Sequence, residues 1–140
     1  MATVDSRLGT TNLERVQAIY AAFGSGDVEG VLAALAPDVV WSNAGPADLA
    51  YFGVRTGREQ VAEVFAILGQ EFDIAHFAPV EFFAAGERVA VLLEMRATIR
   101  STGRSFTEDL VHVWTFGSDG LVTRLQDIQD SAGVAAALRP

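Results

Sequence analysis

The stretch LVHVWTFGSDGLVTRLQDIQD, residues 110–130, carries the strongest fold signal in this chain. Two runs rich in β-branched and aromatic residues flank Gly117-Ser118-Asp119-Gly120, which predicts two antiparallel strands joined by a short turn. The second run does not finish on apolar residues; it finishes on Gln126, Asp127, Gln129 and Asp130. A four-residue turn and a three-residue turn with Gly120 in a bulge would give that strand opposite facings. Burying Leu121, Thr123, Leu125 and Asp127 is better than burying Val122, Arg124, Gln126 and Ile128, so Asp127 is expected to face the core.

Working outward, RVAVLLEMRATIRS precedes Thr102-Gly103, which suits a two-residue hairpin loop with Ser101 opposite Arg104. That register places Ile99 opposite Phe106, Met95 opposite Leu110, Leu93 opposite His112, Val91 opposite Trp114 and Val89 opposite Phe116 on one face. The face is apolar apart from His112, and helices should cover it. The other face carries Thr98, Thr107, Arg96, Asp109 and Glu94, suited to solvent or to a subunit interface. With FDIAHFAPVEFFA one strand earlier, the second half reads as an antiparallel meander.

The first half is helical in pattern. Thr11 and Glu14 have capping-box spacing, Leu13, Val16, Tyr20 and Phe23 share a face, and Gly24 to Gly26 end the run. Asp27 caps a second helix carrying Val28, Val31, Leu32 and Leu35, which Pro37 stops. DVVWSN is a short strand, and AGPADLAYFGVRTG is irregular over most of its length. Thr56 and Glu59 repeat the capping-box spacing before a third helix with Val61, Val64, Phe65 and Leu68, ended by Gly69. SAGVAAALRP predicts one or two closing helical turns, with Asp130 as a flanking or capping group.

Length and composition set the outer limits. One hundred and forty residues with half of them hydrophobic make one domain, residues 11–140 after a flexible segment 1–10. No cysteine is present, which excludes disulfides and thiolate chemistry, and all ten basic residues are arginine, which excludes a lysine Schiff base. A net charge of −8 opposes nucleic-acid binding. No apolar run reaches the roughly 18 residues of a membrane span, nor is there a signal-peptide pattern, so a soluble cytoplasmic protein is expected.

The segments IYAAFGSGDVEGVLAALAPDVVW, GVRTGREQVAEVF and LVHVWTFGSDGLVTRLQDIQDSAG together span nearly the whole chain. In them the chain resembles the SnoaL-like polyketide cyclase family, within the nuclear transport factor 2-like superfamily that also contains ketosteroid isomerases and limonene epoxide hydrolases. The resemblance implies an α+β conical barrel, a curved and mostly antiparallel sheet wrapped around three helices of the N-terminal half, and a homodimer through the sheet. It also implies a catalytic acid in the last strand, where Asp127 stands. Ketosteroid isomerases place their base where this chain has Trp41, Ser42 and Asn43, none of them acidic, which disfavours steroid isomerisation. Epoxide hydrolases of the group use an aspartate, arginine, aspartate set; Asp127, Arg96 and Asp109 supply the types, but the hairpin register puts the last two on the far face.

Asp127 is therefore the expected proton shuttle, set against the simpler reading of a solvated strand-end carboxylate. His112 either orients it, donates to a substrate oxygen, or is a core histidine bonded to a neighbour. Trp41, Asn43 and Tyr51 are expected to bind substrate, with Phe65 and Trp114 as core residues that also reach the pocket. His76 and His112 lack metal-ligand spacing, and neither a metal nor a cofactor is implied. The expected partner is a small, apolar, oxygen-bearing molecule of polyketide or terpenoid size. Proton abstraction next to its carbonyl would lead to cyclisation or isomerisation, with epoxide opening or a non-catalytic binding or dimerisation module as alternatives.

Overall fold

The computed structural model describes residues 10–140. The expected flexible segment 1–10 thus lies, Thr10 apart, outside the described residues. Helix α1 (Asn12–Gly24) starts at a complete capping box, in which the Thr11 hydroxyl accepts from the Glu14 N–H while Glu14 Oε1 accepts from the Thr11 N–H. Its inner face buries Val16 and Ile19. Asp27 caps the short α2 (Val28–Ala33), as its spacing predicted.

Here the chain departs from expectation. Leu35 and Pro37 belong not to α2 but to strand β1 (Leu35–Asn43). Pro37 is tolerated because the pairing of β1 with its neighbour is irregular between Leu35 and Val40, where a missing N–H costs no ladder bond. The loop that follows contains a four-residue strand, β2 (Gly53–Thr56), and buries Tyr51 and Phe52. Helix α3 (Arg58–Glu71) is not capped by Thr56, whose N–H goes to the Gln60 side chain; Gly57, at φ 86°, is the cap residue. Gly69 does not stop it either: the helix runs two residues further and passes directly into β3 (Phe72–Ala85).

Strands β4 (Arg88–Ile99), β5 (Ser105–Phe116) and β6 (Val122–Ile128) complete the meander, and α4 (Ser131–Leu138) follows, capped by Asp130. The six strands form one open sheet in the order β2-β1-β6-β5-β4-β3, antiparallel throughout except for the parallel pair β1 and β6. The fold is thus the expected α+β arrangement, with the helices of the first half against one face of a sheet that does not close. No helix among the described residues is long and apolar enough to cross a membrane.

Two details of register correct the sequence reading. The β4–β5 loop holds four residues, Arg100 to Gly103, because the Ile99 N–H donates to the Arg104 carbonyl and the Gly103 N–H to that of Ile99. Every pair therefore moves by two: Val91 faces His112, Leu93 faces Leu110, and Met95 faces Glu108. An even shift keeps every side chain on its predicted face. The inner face of β5 nevertheless holds a second polar residue, Glu108, only 7% exposed. In β6 a bulge opposite Thr115 and Phe116 lets Val122 and Leu125 both be buried, with Thr123 exposed and Leu121 half-buried. Beyond the bulge the parity is the one that turns Asp127 inward.

Candidate functional site

The site is built by β5 and β6. His112 and Asp127 are paired across these strands, and their side chains, 9% and 12% exposed, meet with His112 Nε2 3.4 Å from Asp127 Oδ2. On the other side of the imidazole, His112 Nδ1 lies 2.7 Å from the Tyr20 hydroxyl, which comes from α1. Trp114, two residues along β5, places its indole Nε1 2.9 Å from the same hydroxyl.

Elementary donor chemistry orients this chain. An indole N–H can only donate, so the Tyr20 oxygen accepts from Trp114, and its single hydrogen is left to donate to His112 Nδ1 when that nitrogen carries none. In that tautomer the ring hydrogen sits on Nε2, the nitrogen that faces Asp127. Burial, offset in part by the Trp114 bond and reinforced by the Asp127 charge, pushes the Tyr20 hydroxyl far above its ordinary pKa, so it stays a donor. Hydrogen bonds thus link Trp114, Tyr20 and His112, and the far ring nitrogen of His112 stands 3.4 Å from the Asp127 carboxylate. Tyr20 and His112 also stack, with ring planes 8° apart.

A second group of polar side chains holds the other carboxylate oxygen. Gln129 Nε2 lies 3.4 Å from Asp127 Oδ1, 2.5 Å from Asn43 Oδ1 and 3.4 Å from the Tyr51 hydroxyl. Asn43, 1% exposed, in turn donates to the Tyr51 carbonyl. Burial, with the Asp127 charge next, raises the Tyr51 phenol as well. The contacts to Asp127 at 3.4 Å are long for hydrogen bonds, so this carboxylate retains capacity to accept.

Asp127, His112, Tyr20 and Tyr51 open on a cavity of about 60 Å³ otherwise lined by apolar residues, among them Trp41, Phe65, Phe77 and Trp114. This is a slot, much smaller than the roughly 300–1,000 Å³ of sites for drug-sized ligands. The half-buried rings of Phe23 and Phe77, 5.0 Å apart, line both this slot and a second, outer pocket that reaches His76.

Of the residues singled out in the sequence, the fold gathers Asp127, His112, Trp41, Tyr51, Phe65 and Trp114 around one cavity. Asn43 is a correction: it does not line the cavity but stands behind it, bracing Gln129 and the Tyr51 backbone. Arg96 and Asp109 are exposed on the outer face. His76 is exposed beside Glu94, and no group of three His, Cys, Asp or Glu side chains among the described residues is arranged to hold a metal. Sequence reasoning missed Tyr20, Gln129 and Glu108. Glu108 could have been found, since it shares the parity of Leu110 and His112; Tyr20 could not, because its i, i+4 spacing reads only as a core stripe.

The family profile described as SnoaL-like domain matches residues 16–125. Among solved structures, an NTF2-like protein of unknown function from Burkholderia pseudomallei is 35% identical, covering 94% of this chain and 99% of that one, with a TM-score of 0.83. An NTF2-like protein from Burkholderia xenovorans is 30% identical over 91% and 95% of the two chains, with a TM-score of 0.82. TerC, co-crystallised with polyporic acid, is 31% identical over 90% and 96%, with a TM-score of 0.76. No curated protein matches.

Proposed function

Since the chain belongs to the SnoaL-like domain family, we propose that it is a cofactor-independent enzyme that removes a proton next to a carbonyl in a small, apolar, oxygen-bearing molecule of polyketide or terpenoid kind, so that cyclisation or isomerisation follows. One observation carries this reading: the hydrogen-bonded chain Trp114–Tyr20–His112 sets an imidazole nitrogen 3.4 Å from Asp127 at the wall of an apolar slot. Asp127 takes the proton. The His112 Nε2–H, fixed in that tautomer by Tyr20, holds Asp127 in place and is a donor available to the oxygen that gains charge; the Tyr51 hydroxyl is the other donor on the cavity wall. Apolar aromatic walls strengthen both interactions. The co-crystallisation of TerC with polyporic acid supports a ligand of comparable class here.

The test is solvent deuterium exchange into a panel of aromatic and terpenoid ketones, followed by NMR, with wild type and Asp127→Asn. Exchange by the wild type and its loss in the variant support the reading; equal exchange by both removes the proposed base.

The narrowness of the slot favours a second reading, a binding module without turnover. Saturable binding with no exchange on any ketone would select it. Epoxide opening has less support, because Arg96 and Asp109 lie far from Asp127 on the outer face. That face also carries Val80, Leu92 and Ile128, exposed apolar residues that line one groove, and this supports a homodimer through the sheet.

A further inference from the structure

Glu108 has no place in the reaction just described, yet it is a carboxyl buried on the inner face of β5. Its Oε1 accepts from the Asp130 backbone N–H at 3.1 Å. Its Oε2 is buried and has no hydrogen-bond partner among the described residues. The same holds for Gln129 Oε1, on the residue whose amide nitrogen reaches Asp127. A buried carboxylate oxygen without a donor is costly, whereas a carboxylic acid carries its own hydrogen and can donate it.

The surroundings favour that proton. The titratable groups acting on Glu108 are Asp127 and Asp130 from the end of β6, and it acts in turn on Tyr51 from the loop before β2; no arginine among the described residues counters them. We propose that Glu108 and Asp127 form a coupled pair of carboxyls, with Glu108 keeping its proton on Oε2 while Asp127 carries the negative charge, and that loss of this proton drives charge off Asp127 onto the substrate. Glu108 does not line the slot, so it stands farther from a bound ligand than Asp127 does. A negative charge there repels Asp127 more than it repels the developing oxyanion, which speeds proton removal. Glu108 is thus a positioning residue that makes the site respond to pH. Burial first, and the Asp127 and Asp130 charges after it, push its carboxyl up to about 7, within the range where such a response operates.

This inference rests on Asp127 as base for its effect on rate, but the pairing itself needs no substrate. Protein labelled with ¹³C at glutamate side-chain carboxyls would be titrated by NMR as wild type, Glu108→Gln and Asp127→Asn, the glutamine variant assigning the Glu108 signal. A Glu108 midpoint near neutrality that falls in Asp127→Asn, as losing a like charge requires, is the result expected. A midpoint in the ordinary range of about 4.3, or one unmoved by Asp127→Asn, overturns the proposal. The rate claim has its own readout: ketone exchange should rise severalfold between pH 6 and 8 in wild type and stay flat in Glu108→Gln, roughly as the fraction of ionised Glu108 dictates. A rise retained in Glu108→Gln overturns it. Should Asp127→Asn keep full exchange while the midpoints move as stated, the base assignment fails and the pairing stands.

Discussion

His112 and Asp127 face each other across β5 and β6, and it is this cross-strand pairing, not proximity in sequence, that brings an imidazole Nε2 to 3.4 Å from a carboxylate oxygen. Partners directly opposite in a sheet present their side chains on the same face, so once β5 turns His112 toward the helices Asp127 must follow. The Tyr20 hydroxyl then completes the arrangement from α1.

Replacing Asp127 by Asn leaves shape and volume nearly unchanged and removes the proton acceptor. The expected loss in ketone exchange or turnover is about 10²- to 10⁴-fold, with folding retained. Steady-state rates alongside far-ultraviolet circular dichroism separate the two effects.

Tyr20→Phe removes one hydroxyl and leaves two buried groups without their partner, Trp114 Nε1 and His112 Nδ1. A loss of about 1–3 kcal/mol in urea unfolding is expected. Turnover should fall too, because nothing then holds the His112 hydrogen on Nε2. A variant as stable and as active as wild type would show the relay to be incidental.

Both tryptophans of the chain, Trp41 and Trp114, line the slot with ring centroids 5.8 Å apart. Ligand entry should therefore change the intrinsic fluorescence. Phe77→Ala removes one of the two rings that line both the slot and the outer pocket, so bulky ketones should bind faster in stopped-flow fluorescence while small ones change little.

Stability should depend on pH through Glu108. Its folded-state value of about 7 lies above the ordinary 4.5, so the fold favours the neutral acid. That contribution is complete below about pH 4.5 and is lost as pH rises through about 7. Urea midpoints of wild type should fall relative to those of Glu108→Gln across this window; parallel curves would contradict the burial of an ionisable group at this site.

Leu92 and Ile128 are exposed on the outer sheet face. If that face joins two copies, Leu92→Glu should convert a dimer into a monomer in sedimentation velocity without loss of secondary structure. A wild type that sediments as a monomer at every concentration would rule out the interface.

Much of this was legible in the chain itself. Thr11 and Glu14 announced α1, Asp27 announced α2, and alternation in β4 and β5 assigned buried and exposed faces correctly although the loop length was misjudged by two, since an even slip preserves parity. Local rules failed where a neighbour outweighed them. Pro37 sits in β1 because its irregular stretch needs no N–H there, and Gly69 stays helical because α3 continues straight into β3.

Periodicity, caps and turn residues act over a few positions, so the sequence alone determined most of the elements though not their bounds, the inner faces of β4 and β5, and the placing of an acid at the end of β6. What only tertiary structure decided is whom that acid meets. A bulge in β6 opposite Thr115 and Phe116 corrected the parity before Asp127, α1 delivered Tyr20 to His112 from ninety-two positions away, and bonds to Gln129 and the Tyr51 carbonyl hold Asn43 behind the cavity rather than in it. Hydrogen-bond direction and burial belong to such long-range meetings, which no local pattern encodes.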